Sequence, residues 1–184
     1  MTETTLALCK MAFPGIAMWL VGMCANNQAL NSPKVDLLKR GPILQQEISI
    51  PMDERYELGL QFKFENQETY DNSKVAGKPS GSNQKACSDD AAYSAASPSD
   101  KVEMGAELDF ELIVTAPDGK EVHKQRFRSR CLQGWGSLRK SRHFGYVDLS
   151  KGKQQITIIN HLPAVVEGGV TPTLFLAGVG AGYP

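Results

Sequence analysis

The chain has 184 residues, 41% of them apolar, with 20 lysine and arginine side chains against 20 aspartate and glutamate. That length and apolar share suit one globular domain that closes its own core, and they exclude a wholly disordered chain. Zero net charge removes any bulk electrostatic drive toward nucleic acid or anionic lipid.

The first element is a leader. Met11–Met23 reads MAFPGIAMWLVGM, an uncharged run preceded by Lys10. A spanning helix needs roughly 20 apolar residues and a signal-peptide core about 7–15, so residues 1–23 are expected to be an export signal. Leu20-Val21-Gly22-Met23-Cys24 resembles a bacterial lipobox, which makes Cys24 the candidate lipidated residue. The alternatives are an ordinary buried thiol in a short helix, an uncleaved anchor, or plain secretion. Several acyl chains on Cys24 would anchor the protein stably to a membrane, and Ala25 permits sorting to the outer membrane, facing the periplasm. Residues 24–42, polar and carrying Pro33, Gly41 and Pro42, are expected to be the lipidated N-terminus and a flexible tether. Residues 43–184 are then the folded domain.

Strand signals follow. Ile43–Ile50 places Leu44, Ile48 and Ile50 on one parity. In Arg55–Phe64, Tyr56, Leu58, Leu60, Phe62 and Phe64 alternate with Arg55, Glu57, Gly59, Gln61 and Lys63, which predicts a half-buried strand. Residues 65–105 are rich in polar residues, Ala, Ser and Gly, with a weak helix signal around Glu68–Val75. So long a stretch without strong periodicity reads as a functional, disordered or partly pinned insertion. Cys87 lies inside it. In an oxidising compartment Cys87 and Cys131 are expected to form one disulfide, because no CxxC spacing or Cys/His set points to a metal.

A hairpin comes next. Glu107, Asp109 and Glu111 alternate with Leu108, Phe110 and Leu112; after Pro117-Asp118-Gly119-Lys120, the return strand places Lys124, Arg126, Arg128 and Arg130 on one parity. A two-residue Asp-Gly turn opposes Glu111 to Arg126, Asp109 to Arg128 and Glu107 to Arg130. Lys120–Arg142 holds eight basic residues and one acid, which taken alone invites a nucleic-acid reading. The facing carboxylates favour a structural charge ladder instead, with each exposed pair contributing about 0.2–1 kcal/mol. Beyond the ladder, Trp135 sits between two glycines and is followed by Arg139, Lys140 and Arg142 without a local acid. These four are the candidate partner-binding residues, since Trp and Arg anchor interfaces; the alternative is a loop whose tryptophan covers the core edge. Strand signals at His143–Leu149, Ile156–Ile159 and Thr171–Val179 complete about seven strands, so the expected fold is an all-β antiparallel sandwich.

The lipobox, the Arg55–Phe64 strand after a Gly-Pro-Ile lead-in, the polar segment and the acidic-basic hairpin together resemble an uncharacterised family of proteobacterial lipoproteins, a domain of unknown function, over about residues 36–180. The resemblance implies a periplasm-facing all-β domain. Some small exported lipoproteins of this sort act as immunity proteins against antibacterial effectors. It carries over no functional residue.

Motifs for catalysis are missing. His123, His143 and His161 lie on separate segments, and no Gly-x-Ser-x-Gly elbow, phosphate-binding loop or cofactor signature occurs. The expectation is therefore a non-enzymatic binding module without cofactor or metal, whose partner is an exported effector protein. A cell-envelope lipoprotein without a dedicated toxin partner is the alternative.

Overall fold

The computed structural model describes residues 29–30, 32–78, 86–87 and 89–179. The expected export signal and Cys24 lie outside the described residues. Among the described residues, eight strands form two antiparallel four-stranded sheets. One has the order β1 (Gly41–Ile50), β7 (Gly152–Asn160), β3 (Leu108–Thr115), β4 (Glu121–Ser129). The other has β5 (Gly134–Gly136), β6 (Arg139–Leu149), β2 (Glu54–Phe64), β8 (Val170–Gly178). The expected sandwich is present, with eight strands rather than about seven; β5, three residues long, is too short to leave a period in the sequence.

Tyr56, Leu58, Leu60, Phe62 and Phe64 of β2 all point into the core, as their alternation requires. They join Phe110, Leu112 and Val114 of β3, Ile156 and Ile158 of β7 and Leu174 and Leu176 of β8 in one buried cluster. Each such side chain contributes roughly 1.5–3 kcal/mol by leaving water, so this cluster dominates the stability of the sandwich.

The tether expectation fails over the described residues 29–30 and 32–42. Leu30 and Leu37 are fully buried in the main core. The Val35 N–H donates to the Pro172 carbonyl (3.1 Å) and the Leu174 N–H to the Pro33 carbonyl (3.0 Å), so this segment lies along the outer edge of β8. Asn160 Nδ2 holds the carbonyls of Leu37 and Lys39 at 2.9 and 3.0 Å. Widely spaced apolar residues in a polar segment resemble a linker, yet three of them suffice to dock it.

The β3–β4 hairpin has the expected register, with Glu111 opposite Arg126 and Asp109 opposite Arg128, but reaches it differently. Gly119 N–H donates to the Ala116 carbonyl and Ala116 N–H to the Lys120 carbonyl, with Gly119 at φ +86°: a three-residue loop in which glycine takes the left-handed position. That loop alone would shift the parity by one. An irregularity at Val114/Thr115 adds one residue on β4 and restores it.

Among the described residues between β2 and β3, the short helices are α1 (Gln67–Asn72), α2 (Asp90–Ala95) and α3 (Pro98–Met104). Asn66, Asp89 and Ser97 cap their N-termini through side-chain oxygens, as short polar residues do. The expected Cys87–Cys131 disulfide is formed and fastens this insertion to the segment after β4.

Candidate functional site

β6 separates the basic residues that the sequence presents as one run. Its pairing with β2 is irregular between Gly145 and His143, which leaves Phe144 as an extra residue packed edge-on against Phe110. Val147 and Leu149 face inward beyond this bulge, whereas Lys140 and Arg142 face inward before it. The expectation that Lys140 and Arg142 are surface anchors is therefore wrong. Arg142 is fully buried. Its guanidinium donates to the carbonyls of Ala76 (3.0 and 3.1 Å), Met104 (2.7 Å), Ser129 (3.4 Å) and Ala106. Burial pushes its pKa down to about 9, which still leaves it charged at neutral pH. Gly105 makes room for it, because a Cβ there would lie 2.1 Å from the guanidinium.

Lys140 is equally structural. Its Nζ donates to the carbonyls of Tyr70 (2.7 Å) and Gly77 (2.8 Å) and lies over the Tyr70 ring. Burial lowers its pKa. Both cations thus serve the insertion, each neutralised by backbone dipoles. From the opposite side, Glu167 Oε1 accepts the N–H groups of Lys74 (2.7 Å) and Val75 (3.2 Å).

The charge ladder is present, with staggered contacts. Arg126 grips Asp109 through two 2.7 Å bonds, Lys124 reaches Glu111 at 3.5 Å, and Arg128 reaches Asp109 at 3.5 Å. The bond from Arg126 holds the Asp109 carboxyl below the usual carboxylate range. Arg130 is buried and pairs with Glu107 (2.9 Å) and with Asp90 of α2, a partner that no local pattern could announce. The Arg130 guanidinium also stacks 4.3 Å from the centre of the Tyr93 ring.

Trp135 and Arg139 are exposed; Trp135 keeps 60% of its surface in solvent. They flank the β5–β6 hairpin, whose turn residues Ser137 and Leu138 both have positive φ, at 46° and 56°. Non-glycine residues rarely adopt that conformation, so the tight turn that follows Trp135 forms at some conformational expense. Behind the hairpin a cavity of about 680 Å³ opens on the outer face of the sheet, lined by Trp135, Arg139, Gln61, Ser141, His143 and Phe175.

Ser141 and His143, which line this cavity, join Glu57 behind them in a constellation that no sequence spacing announces. His143 Nδ1 contacts Glu57 Oε1, and His143 Nε2 lies 3.5 Å from Ser141 Oγ. Phe175 lies where a side chain on Gly59 would be, and the His143 ring meets it edge-on at 5.8 Å. The β2–β6 register brings these groups together: His143 pairs with Gly59, and Gln61 with Ser141. Glu57 and His143 stand 86 residues apart, so only that register reveals their meeting. Among the described residues, no group of three or more His, Cys, Asp or Glu side chains is arranged to hold a metal ion.

No curated protein matches the chain. Among solved structures it is similar to a protein of Sulfurospirillum deleyianum, with 18% identity, a TM-score of 0.57, and coverage of 80% of this chain and 96% of that one. A second match, to the C-terminal domain of EclA, a sugar-binding protein, has 11% identity, a TM-score of 0.31, and coverage of 80% and 79%. The first likeness shows a shared fold. A family model described as a domain of unknown function, DUF5625, matches residues 33–166, which include both sheets except β8. The chain belongs to that family.

Proposed function

We propose that the protein is an exported lipoprotein, anchored through Cys24, that acts by binding another protein in the periplasm. The observation that carries this reading is the β5–β6 hairpin, which presents a largely exposed Trp135 beside a cavity, with Arg139 lining the same cavity. Rigid aromatic anchors with an adjacent arginine concentrate binding energy. The Cys87–Cys131 disulfide supports an oxidising compartment. In its specific form the partner is an antibacterial effector, and the protein confers immunity by occupying it.

The test is co-purification of the full-length protein with an exported effector encoded beside it, together with survival of cells exposed to that effector. Trp135→Ala is expected to weaken the complex by at least about 2 kcal/mol, roughly 30-fold in Kd. Stable folded protein that captures no effector and protects no cell would refute the proposal.

A further inference from the structure

The Glu57–His143–Ser141 constellation has the ordering of a nucleophile, a base and a group that orients the base. Nδ1 faces the Glu57 carboxylate, which favours the tautomer with its proton on Nδ1 and its Nε2 lone pair toward Ser141 Oγ. The 3.5 Å separation is longer than a reacting hydrogen bond, as is common where no substrate compresses the site.

Three further features fit. Ser141 Oγ occupies space that Gly134 leaves open, since a Cβ on that glycine would lie 2.3 Å from it. Phe175 supports the His143 ring from the side. Gln61, directly opposite Ser141 on β2 and lining the same cavity, offers an amide N–H₂ group as donor to a developing oxyanion.

We propose that this cavity is an acyl-ester hydrolase site, with Ser141 as nucleophile, His143 as general base and Glu57 as the positioning residue. The substrate class is a small carboxylic ester whose apolar part lies against Trp135 and Phe175. Ser141 Oγ forms a bond to the ester carbonyl carbon while its proton passes to His143 Nε2. The bond to the alcohol oxygen then breaks, and His143 returns that proton to the departing alkoxide. Water, deprotonated by His143, attacks the acyl-serine; the carbon–Oγ bond breaks and Ser141 regains a proton. Ester and water become acid and alcohol, with no other reactant. The inference goes beyond the binding proposal and stands whether or not an effector partner exists.

The experiment treats the full-length protein with a fluorophosphonate probe, maps the adduct by peptide mass spectrometry, and measures hydrolysis of p-nitrophenyl acetate. The expected results are an adduct on Ser141 and turnover reduced about 100-fold or more in Ser141→Ala and His143→Ala. Glu57→Gln is expected to lower kcat with little change in KM, and Glu57→Asp to recover part of the loss. Ser141→Ala removes one oxygen from an open face, so its thermal melt serves as the folding control. The proposal is overturned by a probe that leaves Ser141 unmodified in folded protein, or by turnover that survives Ser141→Ala.

Discussion

The sandwich and its insertion are ordered by opposite means. β2 and its neighbours are held by a continuous apolar cluster, whereas the described residues between β2 and β3 bury few large apolar side chains and are fastened from outside. Arg142 and Lys140 reach them from β6, Arg130 from the end of β4, Glu167 from the loop before β8, and Cys131 through a disulfide. A segment too polar to collapse by itself can still be fixed if the body supplies donors for its backbone carbonyls. The strands that could not be mistaken in the sequence therefore surround a region whose order depends on a few long-range polar ties.

This contrast can be broken from either side. Phe62→Ala is expected to destabilise the whole sandwich by about 3–5 kcal/mol, read as a lower denaturant midpoint in a single transition. Replacing both Cys87 and Cys131 by serine removes a covalent tie between positions 44 apart. Chain entropy sets that loss at up to about 4 kcal/mol. Hydrogen exchange would then quicken in α2 and α3 while the amides of β2 stay protected.

Arg142→Met keeps the volume but leaves buried carbonyls without donors, each at a cost of about 1–3 kcal/mol. Limited proteolysis should cut near residues 74–78 and 104–106 in this variant before it cuts any strand. The smallest effect belongs to Arg126→Ala. Asp109 has a lowered folded pKa, so the stability it contributes is complete above the unfolded value of about 3.9 and disappears as pH falls through the folded one. Wild type should thus be the more stable at pH 7, and the two melting curves should converge in acid. Equal separation at pH 7 and pH 2 would show that Arg126 acts by packing rather than by charge.

How much was legible follows the same division. The period-two run of β2, the hairpin register and the disulfide rest on local spacing or on a small choice of cysteines, and each is visible in the sequence. The sequence hides the place of Arg142 for a definite reason. Carried back from Val147 and Leu149, strict alternation puts His143 and Ser141 inside and Arg142 and Lys140 outside; the bulge at Phe144 reverses that assignment. One inserted residue thus turns two apparent surface anchors into buried ties, and turns a serine and a histidine out toward the cavity. Arg130 was placed in the ladder correctly, but its second partner, Asp90, comes from a helix that the insertion's composition conceals.

The docking of residues 33–35 along β8 also bears on solubility. A terminal strand with unsatisfied amides is a template for any passing β-segment, and here the chain blocks its own template. Shortening the protein to its strands alone, beginning at residue 41, would expose that ribbon of hydrogen-bonding groups together with the hollow left by Leu37. Such a trimmed version is expected to self-associate more readily than the longer one, read as a larger species by size-exclusion chromatography, because the β8 edge is then open.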